Sequence, residues 1–281
     1  MVDYFDDNEL LKLFASDPEE HEGGPSELFA ALGCAKKVSL INERCKQEGE
    51  AFDVLGKRAF KRNVGSTCHK LVELYHDGVD DVWTFFPEHS EHPEIDGILQ
   101  RAWPLFSAYR EQFPRGFWGK CLGTEVKLPG GGRVDALFEV DADASERIFE
   151  RLGEHVRPGI MVWDLKTSFQ KDNQLHEKYE WSLAGTMYLD RTEEALGQRP
   201  SCFFIFHAVV YAPKSKLWAE GKWASAAAFD AEDMLGADAR ERLANAMKFA
   251  EENKTSGRAN IARCNDWGQC AFKSDGTCKG W

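Results

Sequence analysis

Gly131-Gly-Arg-Val-Asp135-Ala-Leu-Phe138 and Met161-Val-Trp-Asp164-Leu-Lys166-Thr-Ser168 decide how this chain is read. Each carries an apolar run onto an aspartate, and the second adds a lysine two positions on. Strand side chains alternate between faces, so residues two apart share one. Asp164 and Lys166 therefore project together, with Leu165 buried behind them. Laid side by side, the two strands bring Asp135 next to Asp164. Two carboxylates and an ammonium at one sheet edge are what a Mg²⁺-assisted attack on a phosphodiester needs.

The flanking sequence supplies the rest of a sheet. Cys121 to Leu128 is strand-like, Pro129-Gly-Gly-Gly132 is a turn, and Arg133 to Val140 is a second strand, so 121–140 reads as a β-hairpin. Asp141 to Pro158 is polar, a loop or short helix. Ile160 to Lys166 is a third strand. Residues 172–191 read as one helix with Leu175, Tyr179, Leu183 and Met187 on a single face. Ser201 to Tyr211 is a buried strand, Lys216 to Trp223 its expected partner, and 230–253 a helix rich in Ala, Glu and Lys. A low-complexity tract, Ala224–Ala228, lies between them.

Upstream, the pattern is helical: a short helix at 7–15, a helix start at Pro25-Ser-Glu27 with Ser26 as cap, a long helix from Glu50 to Tyr75, and another at 94–113. Residues 78–90 read as a loop. The fold class expected is α/β, a mixed central sheet flanked by helices. Four segments follow: 1–24, acidic; 25–120, helical; 121–253, the sheet-bearing core; 254–281, a cysteine-rich tail.

At 281 residues, 43% hydrophobic and 29% charged, the composition is that of an ordinary globular protein. No apolar run approaches the ~18–20 residues of a membrane helix, and the acidic N-terminus has no signal-peptide pattern. The expected location is cytoplasmic. There the eight cysteines argue for metal binding or burial over a disulfide framework. The net charge of −12 does not by itself suggest nucleic acid. Basic residues do gather at Lys36-Lys37, Lys57-Arg58 and Lys61-Arg62, where a DNA path would run; solvated helix faces are the plainer reading. Asp135 alone could be a strand-end acid, Lys166 an ordinary solvated lysine, His69 a satisfied core or surface histidine, and Glu125 half of a cross-strand pair with Arg133.

The order Gly65-x-x-x-His69, Glu125, Gly132-x-x-Asp135, Asp164-x-Lys166 resembles the PD-(D/E)XK nuclease superfamily, and within it the RecB-like branch that includes phage-encoded exonucleases. The resemblance covers roughly residues 60–190. It implies a restriction-endonuclease-like core, and a divalent metal, Mg²⁺ or Mn²⁺, held by His69, Asp135, Asp164 and the backbone carbonyl of Leu165. It also implies that Lys166 sits beside the attacking water. Glu125 would be a third site acid. The branch carries a Gln-x-x-x-Tyr element after the lysine: Tyr188 fits the tyrosine, but Ala184 occupies the glutamine position, leaving Gln170 or Gln174 to substitute in contacting DNA. Trp181 reads as core.

Cys264, Cys270 and Cys278 lie in fifteen residues among turn formers and read as metal ligands. The same branch implies a 4Fe–4S cluster completed by an upstream cysteine, here Cys34, with Cys45 the rival fourth ligand. A structural Zn²⁺ and unligated thiols are the alternatives. Cys68, Cys121 and Cys202 read as core.

Together these readings imply a metal-dependent DNA exonuclease of recombination or DNA processing, in a bacterial or phage-infected cell. DNA is the expected partner, with a homo-oligomer or a recombination protein besides, and no membrane. The rivals are an endonuclease or CRISPR-adaptation-type nuclease of the same fold, a catalytically silent DNA-binding protein with a structural cluster or zinc, and a redox-sensing iron–sulfur regulator.

Overall fold

The computed structural model of the chain describes residues 6–14, 57–169, 174–180, 182–210 and 223–256. The helix start at Pro25, Lys36-Lys37, Cys34, Cys45, Gln170, Trp181 and the tail cysteines Cys264, Cys270 and Cys278 lie outside them.

Helix α1 spans Asp7–Phe14, α2 Lys57–His76, α3 Val82–Phe85 and α4 Pro93–Gln112. The hairpin follows as β1 (Lys120–Lys127) and β2 (Arg133–Val140). Its turn is built from glycines at φ 70°, 95° and 85°, a conformation only glycine adopts without strain. Helix α5 (Ala142–Leu152) starts on an Asp141 cap, whose side chain accepts from the Ala144 amide, and stops at Gly153 in the left-handed region. Then come β3 (Gly159–Ser168), α6 (Leu175–Tyr179), α7 (Leu183–Leu196), β4 (Cys202–Val209), β5 (Ala224–Asp230), α8 (Ala231–Met234) and α9 (Ala237–Ser256).

Three expectations change. The single helix over 172–191 is two, α6 and α7, because the Ser182 hydroxyl caps a new start by accepting from the Gly185 amide. The described partner of β4 is the alanine tract from Ala224, with Trp223 in a turn before it; residues 216–222 of the expected partner lie outside the described residues. The helix over 230–253 is likewise interrupted between Met234 and Ala237. Residues 78–90 also hold the one short helix α3.

The five strands lie in the order β1-β2-β3-β4-β5. All neighbours are antiparallel except β3 and β4, which are parallel and joined through α6 and α7. This is a mixed sheet flanked by helices. Strict alternation divides it between two cores. Met161, Trp163 and Leu165 of β3, with Phe204 and Phe206 of β4, face α2 and α4 in an aromatic layer that includes Tyr109, Phe113 and Trp118. Val162, Phe203 and Ile205 face the other way, against Leu189 of α7 and Met234 of α8. The first core runs without a break from Leu10 through α2 and α4 to the strands, so the helical part and the sheet are packed as one body.

Two contacts set the site's dimensions. A side chain at Gly65 would stand 2.7 Å from Thr167 Oγ1, so glycine is what lets α2 close onto the end of β3. On the opposite face, the buried Arg191 of α7 donates to the Gly131 carbonyl and lies over Gly130, clamping the hairpin turn. Among the described residues, no helix is long and apolar enough to cross a membrane.

Candidate metal centre

The hairpin register places Thr124 opposite Ala136 and Val126 opposite Val134, so Glu125 faces Asp135 across the strands. Like charges directly opposite one another destabilise a sheet. Glu125 is also at φ 46°, the only non-glycine with positive φ among the described residues. That conformation costs roughly 1–2 kcal/mol. Burial and the Asp135 carboxylate push the Glu125 pKa up to about 7, against an ion pair with Arg133 that pulls it down.

His69 reaches the same point from α2, its Nδ1 3.4 Å from Asp135 Oδ1. Burial would lower the imidazole pKa, but the Asp135 carboxylate overrides it and holds it above the ordinary value. Asp135 is itself fixed by the strand beside it: the Leu165 N–H donates to its Oδ2 at 2.6 Å. Burial opposes its ionisation, yet His69, Lys166 and that amide together keep its pKa below the usual range. One ligand atom from each of His69, Glu125 and Asp135 lies within 4.8 Å of the others.

Asp164 and Lys166 project together as the strand spacing requires, with Lys166 Nζ 2.6 Å from Asp164 Oδ2. Leu165 is buried behind them. Burial and Asp135 push the Asp164 pKa up. Lys166 is held above its ordinary value: burial works against the charge, but Asp164 and Asp135 outweigh it. Tyr188 of α7 joins this group electrostatically, its phenol pushed up by burial and by Asp164.

The side chains whose ligand atoms converge overlap the set that the family resemblance implies. His69 and Asp135 come together as expected, with Glu125, the expected third site acid, beside them. Asp164 is ion-paired with Lys166, two residues along the same face. The contact made by Leu165 is its N–H on Asp135. Gln174 is exposed at the start of α6 and does not line the cavity at the trio.

That cavity, about 10 Å³ and enough for roughly one water, is lined by His69, Glu73, His76, Glu125, Asp135 and Trp163, among others. His69, Glu73 and His76 recur at i, i+4 and i+7, one face of α2. This spacing was available in the sequence, though only His69 was singled out. His76 is a neutral ring here, its pKa lowered to about 4 by burial and by Arg115. Trp118 Nε1–H donates to the Tyr109 oxygen at 2.8 Å, and indole can only donate. The Tyr109 hydroxyl proton is then free for His76 Nε2, 2.7 Å away, which fixes the histidine's remaining proton on Nδ1. Arg191 was missed for a different reason: a lone arginine on a helix carries no pattern.

Two carboxylates are the oxygen donors that Mg²⁺ and Mn²⁺ take, and the one imidazole is a borderline donor that leans the set toward Mn²⁺ over Mg²⁺. The raised Glu125 pKa has a consequence for stability. A folded pKa above the unfolded value of 4.5 contributes stability that is complete below 4.5 and lost as pH rises through about 7. Metal-free protein should therefore lose on the order of 2–3 kcal/mol across that window relative to Glu125→Gln. Added Mg²⁺ should stabilise wild type increasingly over the same range. Urea melts at successive pH values read both effects, and parallel wild-type and variant curves would refute the assignment. A scan against protein-family models and a search of curated proteins found no match to this chain.

Proposed function

We propose that this chain is a divalent-metal-dependent DNA nuclease, acting as an exonuclease. The observation that carries this reading is the juxtaposition of a His69–Glu125–Asp135 trio with an Asp164–Lys166 pair at the ends of adjacent strands. A metal held by the trio would supply Lewis acidity at the phosphate and a more acidic bound water.

The remaining chemistry belongs to the chain's own groups. Lys166, held protonated by Asp164 and Asp135, offers a cation for a phosphate oxygen. Asp164 orients that ammonium. Asp135 links the two halves, since it sits against both His69 and the Leu165 amide. Nearby, Lys61 is exposed on α2 and lies 5.5 Å over the ring of Phe169, just beyond the end of β3. With exposed Arg62 it offers a basic approach for the DNA backbone on an otherwise acidic protein.

Linear and circular DNA incubated with Mg²⁺ or Mn²⁺, beside Asp164→Ala, test the reading. Degradation of linear DNA only, stopped by chelator and absent in the variant, is expected. Cutting of circular DNA would make the enzyme an endonuclease. No degradation of either substrate, or a variant as active as wild type, would refute the nuclease assignment.

A further inference from the structure

One carboxylate in the site faces two claimants. Glu125 contributes a ligand atom to the trio with His69 and Asp135, and its Oε2 is ion-paired with Arg133 Nε. Arg133 opens β2 two residues before Asp135, and its side chain is 32% exposed. A guanidinium presents five N–H donors in a flat fork that fits a phosphate with two parallel hydrogen bonds. The backbone at Glu125 is held in the left-handed region, keeping its side chain toward Asp135 at a conformational cost.

We propose that Arg133 is a phosphate-responsive partner of Glu125: a DNA backbone phosphate takes the guanidinium, and the released Glu125 carboxylate is given over to the metal with His69 and Asp135. This rests on the nuclease reading and adds a regulation to it. In the absence of DNA, Arg133 neutralises Glu125 and weakens its claim on a cation. With a phosphate on Arg133, Glu125 loses its own counter-charge beside Asp135 and Glu73, which are paired with His69 and Lys70, and a bound cation replaces it. Linkage makes the effect reciprocal, so metal also frees Arg133 for phosphate. The site thus assembles fully only on substrate.

The test is Mn²⁺ affinity, by electron paramagnetic resonance, with and without a phosphorothioate-linked oligonucleotide that keeps its charge and resists hydrolysis. Wild type should bind Mn²⁺ roughly 10-fold more tightly with the oligonucleotide. Arg133→Gln should bind Mn²⁺ more tightly than wild type alone and lose most of the oligonucleotide's effect. Glu125→Gln should bind Mn²⁺ weakly and respond little. Lys127 lies exposed across the hairpin from Arg133, and Lys127→Gln removes the same charge, so it should respond as wild type. The proposal is overturned if Arg133→Gln keeps the wild-type response, or if Lys127→Gln loses it equally. If wild type cleaves DNA and binds the oligonucleotide while Arg133→Gln responds normally, only this proposal falls. If wild type does neither, the nuclease reading falls with it.

Discussion

Lys166→Met is expected to slow DNA cleavage about a thousandfold, the scale on which loss of a preorganised electrostatic contact is felt. It should also destabilise the protein, for a reason separate from catalysis. Asp164 is 2% exposed and its carboxylate has Lys166 at 2.6 Å. Removing one partner of a buried pair costs ~3–5 kcal/mol, because the other charge is left uncompensated. Lys166 is 41% exposed, so solvent already screens part of the pair. A loss of about 2 kcal/mol is the discounted expectation. The double variant Asp164→Asn/Lys166→Met removes both charges and should regain most of that stability while remaining inactive. Urea melts and a cleavage assay on the three proteins separate the two effects. Recovery of cleavage in the double variant would show that the pair is structural only.

The pair was legible because a period of two is the whole of strand geometry: Asp164 and Lys166 had to share a face once β3 was a strand. The hairpin was equally plain, since Pro129 and three glycines allow little but a turn. What the sequence could not show was set by contacts distant along the chain. Glu125 is strained by the register of β1 on β2, which no local pattern encodes. Ser182 breaks a continuous apolar face because a hydroxyl cap outweighs periodicity there. The alanine tract from Ala224 is a strand because β4 supplies a ladder for it; alanine on its own leans to helix. The metal trio followed the same division. His69 and Asp135 came from motif spacing, whereas the place of Glu125 beside them depends on the register that sets it opposite Asp135.

The two acids of the strand pair have unequal work. Asp164 is buried and ion-paired with Lys166. Asp135 touches both β3 and α2, so it transmits the position of each to the other. Its removal should therefore be felt in metal binding, in cleavage and in the packing of α2 against the hairpin, whereas loss of Asp164 should leave His69 where it is.

Asp135→Asn should abolish Mn²⁺ binding at the trio and lower cleavage by a thousandfold or more, the combined loss of a ligand and of the charge that holds His69. The amide oxygen of asparagine can still accept from the Leu165 N–H, so the fold should melt within about 1 kcal/mol of wild type. Asp135→Ala removes that acceptor as well and leaves a backbone amide without its partner, which costs a further ~1–3 kcal/mol. The His69 pKa should fall in both, because burial and Lys166 then outweigh the pull of Glu125. Nuclear magnetic resonance titration of the imidazole reads this independently of activity. If His69 titrates as in wild type, or if Asp135→Asn binds Mn²⁺ normally, the ion pair between α2 and β2 does not organise the site, and the metal must be sought on Asp164 instead.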